Sequence, residues 1–263
     1  MSAHTVNRLQ WRKHFRVGAC IDYLDVTLHT SRPSQFRHVQ AALERITGVK
    51  LYTHPRDRRP DTGQNATVFT VRFRDALAND LLALTNAINE FRKEYSFQSE
   101  PTISGIEAAC DFRFKGPAKY RERITLAIAH RLQLFLHTPH ATRPRQFDPA
   151  IGPTGANLYL VDGIPRDPRL NYRIGNEWDD VSWQAYFKTT DAMKLIDPTQ
   201  HRARVEVTLT GDILHGLGLI NLSDLDEYDF RKLCRFFKFR SPDGGIQDDI
   251  QDAIKGALKR LSV

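Results

Sequence analysis

The chain has 263 residues, a hydrophobic fraction of 41%, and 38 Lys and Arg against 31 Asp and Glu, giving a formal net charge of +7 and a pI of about 9.4. That length accommodates one substantial core; no apolar run approaches the ~20 residues that cross a bilayer, and MSAHTVNRLQWRKHF lacks the apolar centre of an export signal. The charge favours polyanionic partners, nucleic acid before acidic membranes, while the scattered Cys20, Cys110 and Cys234 exclude a disulfide framework or zinc site and point to buried thiols in a reducing cytoplasm.

Residues 1–18 read as a basic arm. ACIDYLDVTLH (19–29) alternates and is rich in β-branched and aromatic residues, so it predicts a strand. A helix follows, with Ser34 as its cap, Phe36, Val39, Leu43 and Ile46 at helical spacing, and Gly48 at its end. HPRDRRPDTGQN (54–65) reads as a loop, ATVFTVRFRD as a strand, and Leu77, Leu81, Leu84, Ile88 and Phe91 as one helix. TISGIEAACDFRF (102–114) is the next strand, stopped by Gly116-Pro117, and Tyr120, Ile124, Ile128 and Leu132 mark another helix. After the proline-rich residues 137–155 come four strand candidates: ANLYLVD, RLNYRI, SWQAYFKT and RARVEVTLT. Two helices close the chain, one through Leu225, Tyr228, Leu233, Phe236 and Phe237, the other from Ile246 to Leu261. Strands in pairs with single helices between them indicate an α+β fold, an antiparallel or mixed sheet covered by helices on one side. A duplicated, ferredoxin-like arrangement fits that order. The expected division is a domain over 19–240 with a C-terminal helix, 241–263, packed on it.

No GxxxxGK[ST] loop, GxGxxG, GxSxG or HExxH occurs, which argues against nucleotide hydrolysis, dinucleotide binding and zinc-protease chemistry. The HxxH pair His137 and His140 spans Thr-Pro in a loop and reads as solvated.

Acids, tyrosines and basic residues remain. In GIEAACDF the strand period puts Glu107 and Asp111 on one face, about 13 Å apart along the strand, so at most one of them can ligate a given ion. Arg204 and Glu206 share a face of RARVEVTLT, which fits either a solvated polar edge or a ligand for Mg²⁺ or Mn²⁺. Tyr186 and Lys188 share a face of SWQAYFKT. A strand tyrosine is ordinarily packing, yet a neighbouring ammonium and a divalent cation are what a phenol needs to become a nucleophile.

IDYLDVTL, GIEAACDF, GANLYLVDG, the Tyr-x-Lys strand and RVEVTL stand in a particular order. In that order the chain resembles, from about residue 20 to about residue 240, rolling-circle replication initiators of the trans-acting plasmid Rep type. That family also includes relaxases of some integrative conjugative elements. The resemblance implies that Tyr186 is the nucleophile, that Glu206, Glu107 and Asp111 fall on the family's acidic positions, and that the enzyme stays joined to the 5′ phosphate while freeing a 3′ hydroxyl. Lys188 and Arg204 would offset the charge of the scissile phosphate, with Mg²⁺ or Mn²⁺ as cofactor. Phe187 stands where the family has an acid or amide, Glu107 where it has aspartate, and Val161 where it has glycine. These departures, with the long segment IPRDPRLNYRIGNEWDDVS before the tyrosine strand, leave Tyr159 and Tyr172 as rival nucleophiles.

DNA contacts are expected from Arg56, Arg58, Arg59, Arg143, Arg145, Arg166, Arg169 and Arg173, with Trp178 stacking on exposed bases. FRKLCRFFKFR (230–240) reads as a packed helix with a basic outer face. The function implied is nicking and joining at a plasmid or other mobile-element origin, in the cytoplasm, with a host or element-encoded helicase as partner, no membrane association, and a homodimer as the family's common assembly. The alternatives are a relaxase for conjugative transfer and a non-enzymatic DNA-binding regulator on the same fold.

Overall fold

The structure is a computed structural model that describes residues 11–57, 65–138, 146–147, 160–161, 164–165, 171–175, 179–191, 194–240 and 248–261. Its centre is an antiparallel sheet of eight strands. In chain order these are β1 (Phe15–Gln35), β2 (Tyr52–Pro55), β3 (Asn65–Arg74), β4 (Thr102–Phe114), β5 (Gln146–Phe147), β6 (Tyr172–Ile174), β7 (Val181–Lys188) and β8 (Arg202–Thr210). Across the sheet they stand β2-β3-β1-β4-β8-β7-β6-β5. The helices are α1 (Phe36–Thr47) and α2 (Leu81–Glu94) in the first half, then α3 (Arg121–Phe135), α4 (Gly211–Leu217) and α5 (Asp248–Leu258). The fold is α+β, and none of these helices is long and apolar enough to cross a membrane.

The duplication is visible in the strand order. β1-α1-β2-β3-α2-β4 is a complete ferredoxin-like unit, with its strands side by side as β4-β1-β3-β2. The second half repeats the scheme: β4-α3-β7-β8-α4 gives β4, β8 and β7 side by side, with β1 on the other flank of β4. Each unit therefore borrows the first strand of the other as its outer strand, and the β1–β4 pair is the seam.

One face of the sheet is apolar. Leu24, Val26 and Leu28 of β1, Ile106, Ala108, Cys110 and Phe112 of β4, and Val205, Val207 and Leu209 of β8 are buried there. The helices cover it with Val39 and Leu43 of α1, Leu84, Ile88 and Phe91 of α2, Ile128 and Leu132 of α3, and Ile250, Ile254 and Leu258 of α5. By the period of two, the opposite face carries the polar side chains of the same strands. Every candidate residue of β4, β7 and β8 lies on that face.

Several elements differ from their sequence signals. β1 begins before the alternating run and continues through Ser34, which pairs with Ala66 instead of capping α1. Gln35 holds the N-cap position without a side-chain bond, and Gly48 ends α1 in the left-handed region at φ 71°. The helix predicted through Leu77 and Phe91 is broken. Asp75–Ala78 form a single turn, and Asp80 starts α2 by accepting the Ala83 amide at 2.9 Å. Of ANLYLVD, the described residues Leu160 and Val161 pair with Ile164–Pro165 in a small hairpin outside the main sheet. The stretch carrying Leu225 to Phe237 is two short 3₁₀ segments, Leu222–Leu225 and Phe230–Phe236. Asp229 restarts the second by accepting from Arg231 N, and Trp183 Nε1 donates to the Phe236 carbonyl at 2.8 Å. The sheet's largest buried ring thus uses a carbonyl that a continuing α-helix would need. Phe230, Phe236 and Phe237 are nonetheless buried, and Arg231, Lys232 and Arg235 are exposed.

β1 carries an irregularity between Ile21 and Tyr23. The β3 ladder stops at Tyr23, and Asn79 takes over one step beyond it: the Ile21 amide donates to Asn79 Oδ1 at 2.8 Å, and Asn79 Nδ2 donates to the Ile21 carbonyl at 2.6 Å. Asn79→Ala would leave both backbone groups of a buried residue unpaired, a loss of about 2 kcal/mol. Urea unfolding should show that loss, with Asn79→Asp between Asn79→Ala and wild type because it keeps the acceptor. An Asn79→Ala variant as stable as wild type would mean that Asn79 does not hold this turn of β1.

Candidate active site

Registers across β7, β8, β4 and β1 assemble the site. Tyr186 lies across from Arg204 and Gln184 across from Glu206; Arg204 lies across from Asp111, Glu206 from Ala109, and Thr208 from Glu107. Glu107, Ala109 and Asp111 share the polar face with Arg202, Arg204, Glu206 and Thr208, as the strand alternation requires.

The Tyr186 hydroxyl donates to Glu206 Oε1 at 2.6 Å. Arg204 is 3% exposed and is the hub of the face. Its Nε and Nη2 donate to Asp111 Oδ1 and Oδ2 at 2.6 and 3.0 Å, its Nη1 to Asp22 Oδ1 at 2.6 Å, and the same Nη1 more weakly to Glu206 Oε1 at 3.3 Å. Asp111 also receives Arg113 at 3.2 Å and pairs with Arg202 at 2.9 Å. Glu107 accepts from Thr208 Oγ1 at 2.7 Å. Lys188 is buried on the same face and pairs with Asp191 at 3.0 Å.

Two kinds of carboxylate result. Asp111 pays a desolvation penalty, but Arg204, Arg202 and Arg113 more than offset it and hold its carboxyl below the usual range. It is the anion of an arginine cluster. Glu107 and Glu206 behave in the opposite way. Burial pushes Glu107 up to about 8, with the charge of Glu206 adding to the shift, and burial also raises Glu206 in spite of Arg204. Asp22, Glu107 and Glu206 offer oxygens that all lie within 4.8 Å of one another, the geometry of a cation site. Asp111 stands outside that trio, and Asp22 occupies the third place.

Asp22 is the residue that sequence reasoning passed over. Strict alternation along ACIDYLDVTLH phases Asp22 with Leu24, Val26 and Leu28, on the apolar face. The irregularity at Ile21–Tyr23 inserts one residue, so Asp22 reaches Arg204 while Tyr23 still pairs with Glu107. An aspartate in phase with core leucines was the available signal.

A cavity of about 310 Å³ opens beside this cluster, lined by Asp22, Asp111, Arg113, Lys188, Asp191 and Arg202 among others. The phenol of Tyr186 is held well above its ordinary pKa, first by burial and then by the charge of Glu206, against a lowering by Arg204. In the bare protein it is therefore a neutral hydrogen-bond donor.

Of the expected DNA contacts, Arg173 lies across from Gln184, in phase with Tyr186, and its Nε is buried without a hydrogen-bond partner. Arg56 is exposed at the end of β2. Arg58, Arg59, Arg143, Arg145, Arg166, Arg169, Trp178 and the rival Tyr159 lie outside the described residues, and the backbone of Tyr172 stands across from Ala185.

No protein-family model matches the chain, and no curated protein matches it. A solved rolling circle replication initiator protein from Geobacillus stearothermophilus is 16% identical, with 92% of this chain and 97% of that chain covered and a TM-score of 0.46.

Folded Glu107 keeps its proton to about 8, against 4.5 for an unperturbed glutamate. Between those values the folded state binds the extra proton, so this group makes the metal-free protein less stable as pH rises. Thermal unfolding in EDTA should show a melting temperature that falls from about pH 5 to about pH 8, a flatter profile for Glu107→Gln, and recovery of wild type with Mn²⁺ at the upper end. An equally steep fall in Glu107→Gln would contradict the assignment of that titration to Glu107.

Proposed function

We propose that this chain nicks and rejoins one strand of DNA with Tyr186 as nucleophile, initiating rolling-circle replication. One observation carries the reading. The Tyr186 hydroxyl is bonded at 2.6 Å to Glu206, a member of a carboxylate trio able to converge on a single cation. The sequence motifs of the Rep type supply the substrate class and the strand polarity.

The trio suits Mg²⁺ or Mn²⁺, hard cations that take carboxylate oxygens and retain several waters. Burial raises the pKa of two of its members, so a positive charge among them is the partner that nearby side chains supply only in part. Held by Asp22, Glu107 and Glu206, the ion would polarise the scissile phosphate and favour the phenolate of an adjacent tyrosine. Glu206 Oε1 accepts the Tyr186 hydrogen bond and lies in line to take its proton. Attack by Oη forms the new phosphorus–oxygen bond as the P–O3′ bond breaks, leaving the 5′ phosphate on Tyr186 and a free 3′ hydroxyl. One phosphodiester replaces another, so rejoining needs no nucleotide, in keeping with a sequence that has no phosphate-binding loop.

Arg204 is saturated by Asp111, Asp22 and Glu206, and its part is to position those carboxylates. On the same face, Arg173, whose Nε has no hydrogen-bond partner, and Lys188, whose ammonium Asp191 already pairs, are cations that can meet phosphate charge.

Supercoiled plasmid carrying the DNA that flanks the gene, incubated with Mn²⁺, should yield nicked circles with protein on the 5′ end. Tyr186→Phe should lower that yield at least about a thousandfold, and EDTA should abolish it. Normal nicking by Tyr186→Phe would remove Tyr186 as the nucleophile. Sequence-specific binding without any nicking by wild type would leave a regulator.

A further inference from the structure

The two halves of the sheet carry matching rows on the same polar face. In the second half Tyr186 stands across from Arg204, which stands across from Asp111. In the first half Tyr52 of β2 stands across from Arg72 of β3, which stands across from Asp25 of β1. The arginines fork onto their aspartates alike: Nε and Nη2 of Arg204 reach the two oxygens of Asp111 at 2.6 and 3.0 Å, and Nε and Nη2 of Arg72 reach those of Asp25 at 2.7 and 2.7 Å.

The neighbours of the rows differ. Two residues beyond Arg204 is Glu206; two beyond Arg72 is Arg74. The first-half row thus has a cation where the second has the carboxylate that bonds the tyrosine, so it has no means to activate a phenol. Its tyrosine is also open: Tyr52 is 64% exposed. Around it Arg56 and Arg74 are exposed on the same face; Arg72 is the one that bonds Asp25, while Arg56 Nε donates to Thr70 Oγ1 at 2.9 Å.

The row runs into the acidic pocket. The Arg72 guanidinium lies 3.6 Å from the centre of the Tyr23 ring, and Tyr23 is directly across from Glu107. From β4 to β2 is three strand spacings, about 14 Å. An exposed aromatic ring, a surplus of arginine and direct continuity with the reaction centre are the features of a track for single-stranded nucleic acid.

We propose that Tyr52, with Arg72, Arg74 and Arg56, forms a subsite for the single strand that flanks the scissile phosphate, Tyr52 stacking on a base and the exposed arginines facing phosphates. The subsite rests on the strand-nicking reading of Tyr186. By this inference the first unit keeps the row's shape and has exchanged its chemistry for grip.

The test is fluorescence anisotropy of a labelled oligothymidylate with the full chain in EDTA, where nicking is silent. Tyr52→Ala should weaken binding about 5- to 150-fold, while Tyr52→Phe stays within about twofold, because the stacking face is what counts. Arg74→Ala should lower the slope of log affinity against log salt by about 0.7. The exposure of Tyr52 leaves thermal unfolding of Tyr52→Ala as in wild type. Unchanged affinity in Tyr52→Ala, in a wild-type protein that nicks, overturns the subsite alone. Weakened affinity in a wild-type protein that binds but does not nick sustains the subsite and overturns the catalytic reading. No oligonucleotide binding by a wild-type protein that nicks overturns the subsite and leaves the catalytic reading standing.

Discussion

The guanidinium of Arg204 is the constraint on which the polar face depends. It is 3% exposed and spends its donors on Asp111, Asp22 and Glu206, which come from three different strands. A buried ion cluster of this kind adds little net stability over well-packed hydrocarbon, yet removing one member exposes the rest to a penalty of about 3–5 kcal/mol. Its value lies in placement. With Arg204 absent, Asp22 and Asp111 would lose the guanidinium that holds them, and Glu206 the cation that opposes the effect of its burial. With it, the surplus negative charge is confined to one pocket, and the phenol that bonds that pocket is fixed in position.

Strand pairing explains why this pocket lies where it does. The seam between β1 and β4 joins the two ferredoxin-like units, and the acids flank that seam: Asp22 on β1, Glu107 on β4 and Glu206 on β8. The duplicated unit provides two equivalent rows, one on each side. Among the described residues, the second row is the one with a carboxylate bonded to its tyrosine, so the duplicated scaffold carries two rows of different chemistry.

Much of this was legible in the sequence wherever a strand alternates without interruption. Alternation alone put Glu107 with Asp111, Tyr186 with Lys188, and Arg204 with Glu206, and the structure keeps each pair on one face. It could not show that Asp111 would be taken up by Arg204 and Arg202, because both reach it from another strand, Arg204 from 93 positions away. Arg113, two residues along the same strand, was the one arginine within local reach. Asp22 and Asn79 were illegible for a related reason. The irregularity in β1 changes the phase of the strand, and its only signals are an acid among core leucines and an asparagine between two helical stretches. The final aromatic segment failed differently, since its 3.6-residue spacing is genuine but Asp229 and Trp183 divert its backbone bonds into 3₁₀ turns. The strand order of the duplication rests on pairings between residues nearly a hundred positions apart, which no local window contains.

What matters most is which oxygen ends up on DNA. Digestion of the covalent complex after reaction with origin DNA, followed by mass spectrometry of the nucleotide-bearing peptide, reads that directly. A 5′-phosphonucleotide on Tyr186 is the predicted result. Attachment at Tyr172 or Tyr159, or no attachment while DNA is cut, would contradict the role given to the Tyr186–Glu206 pair.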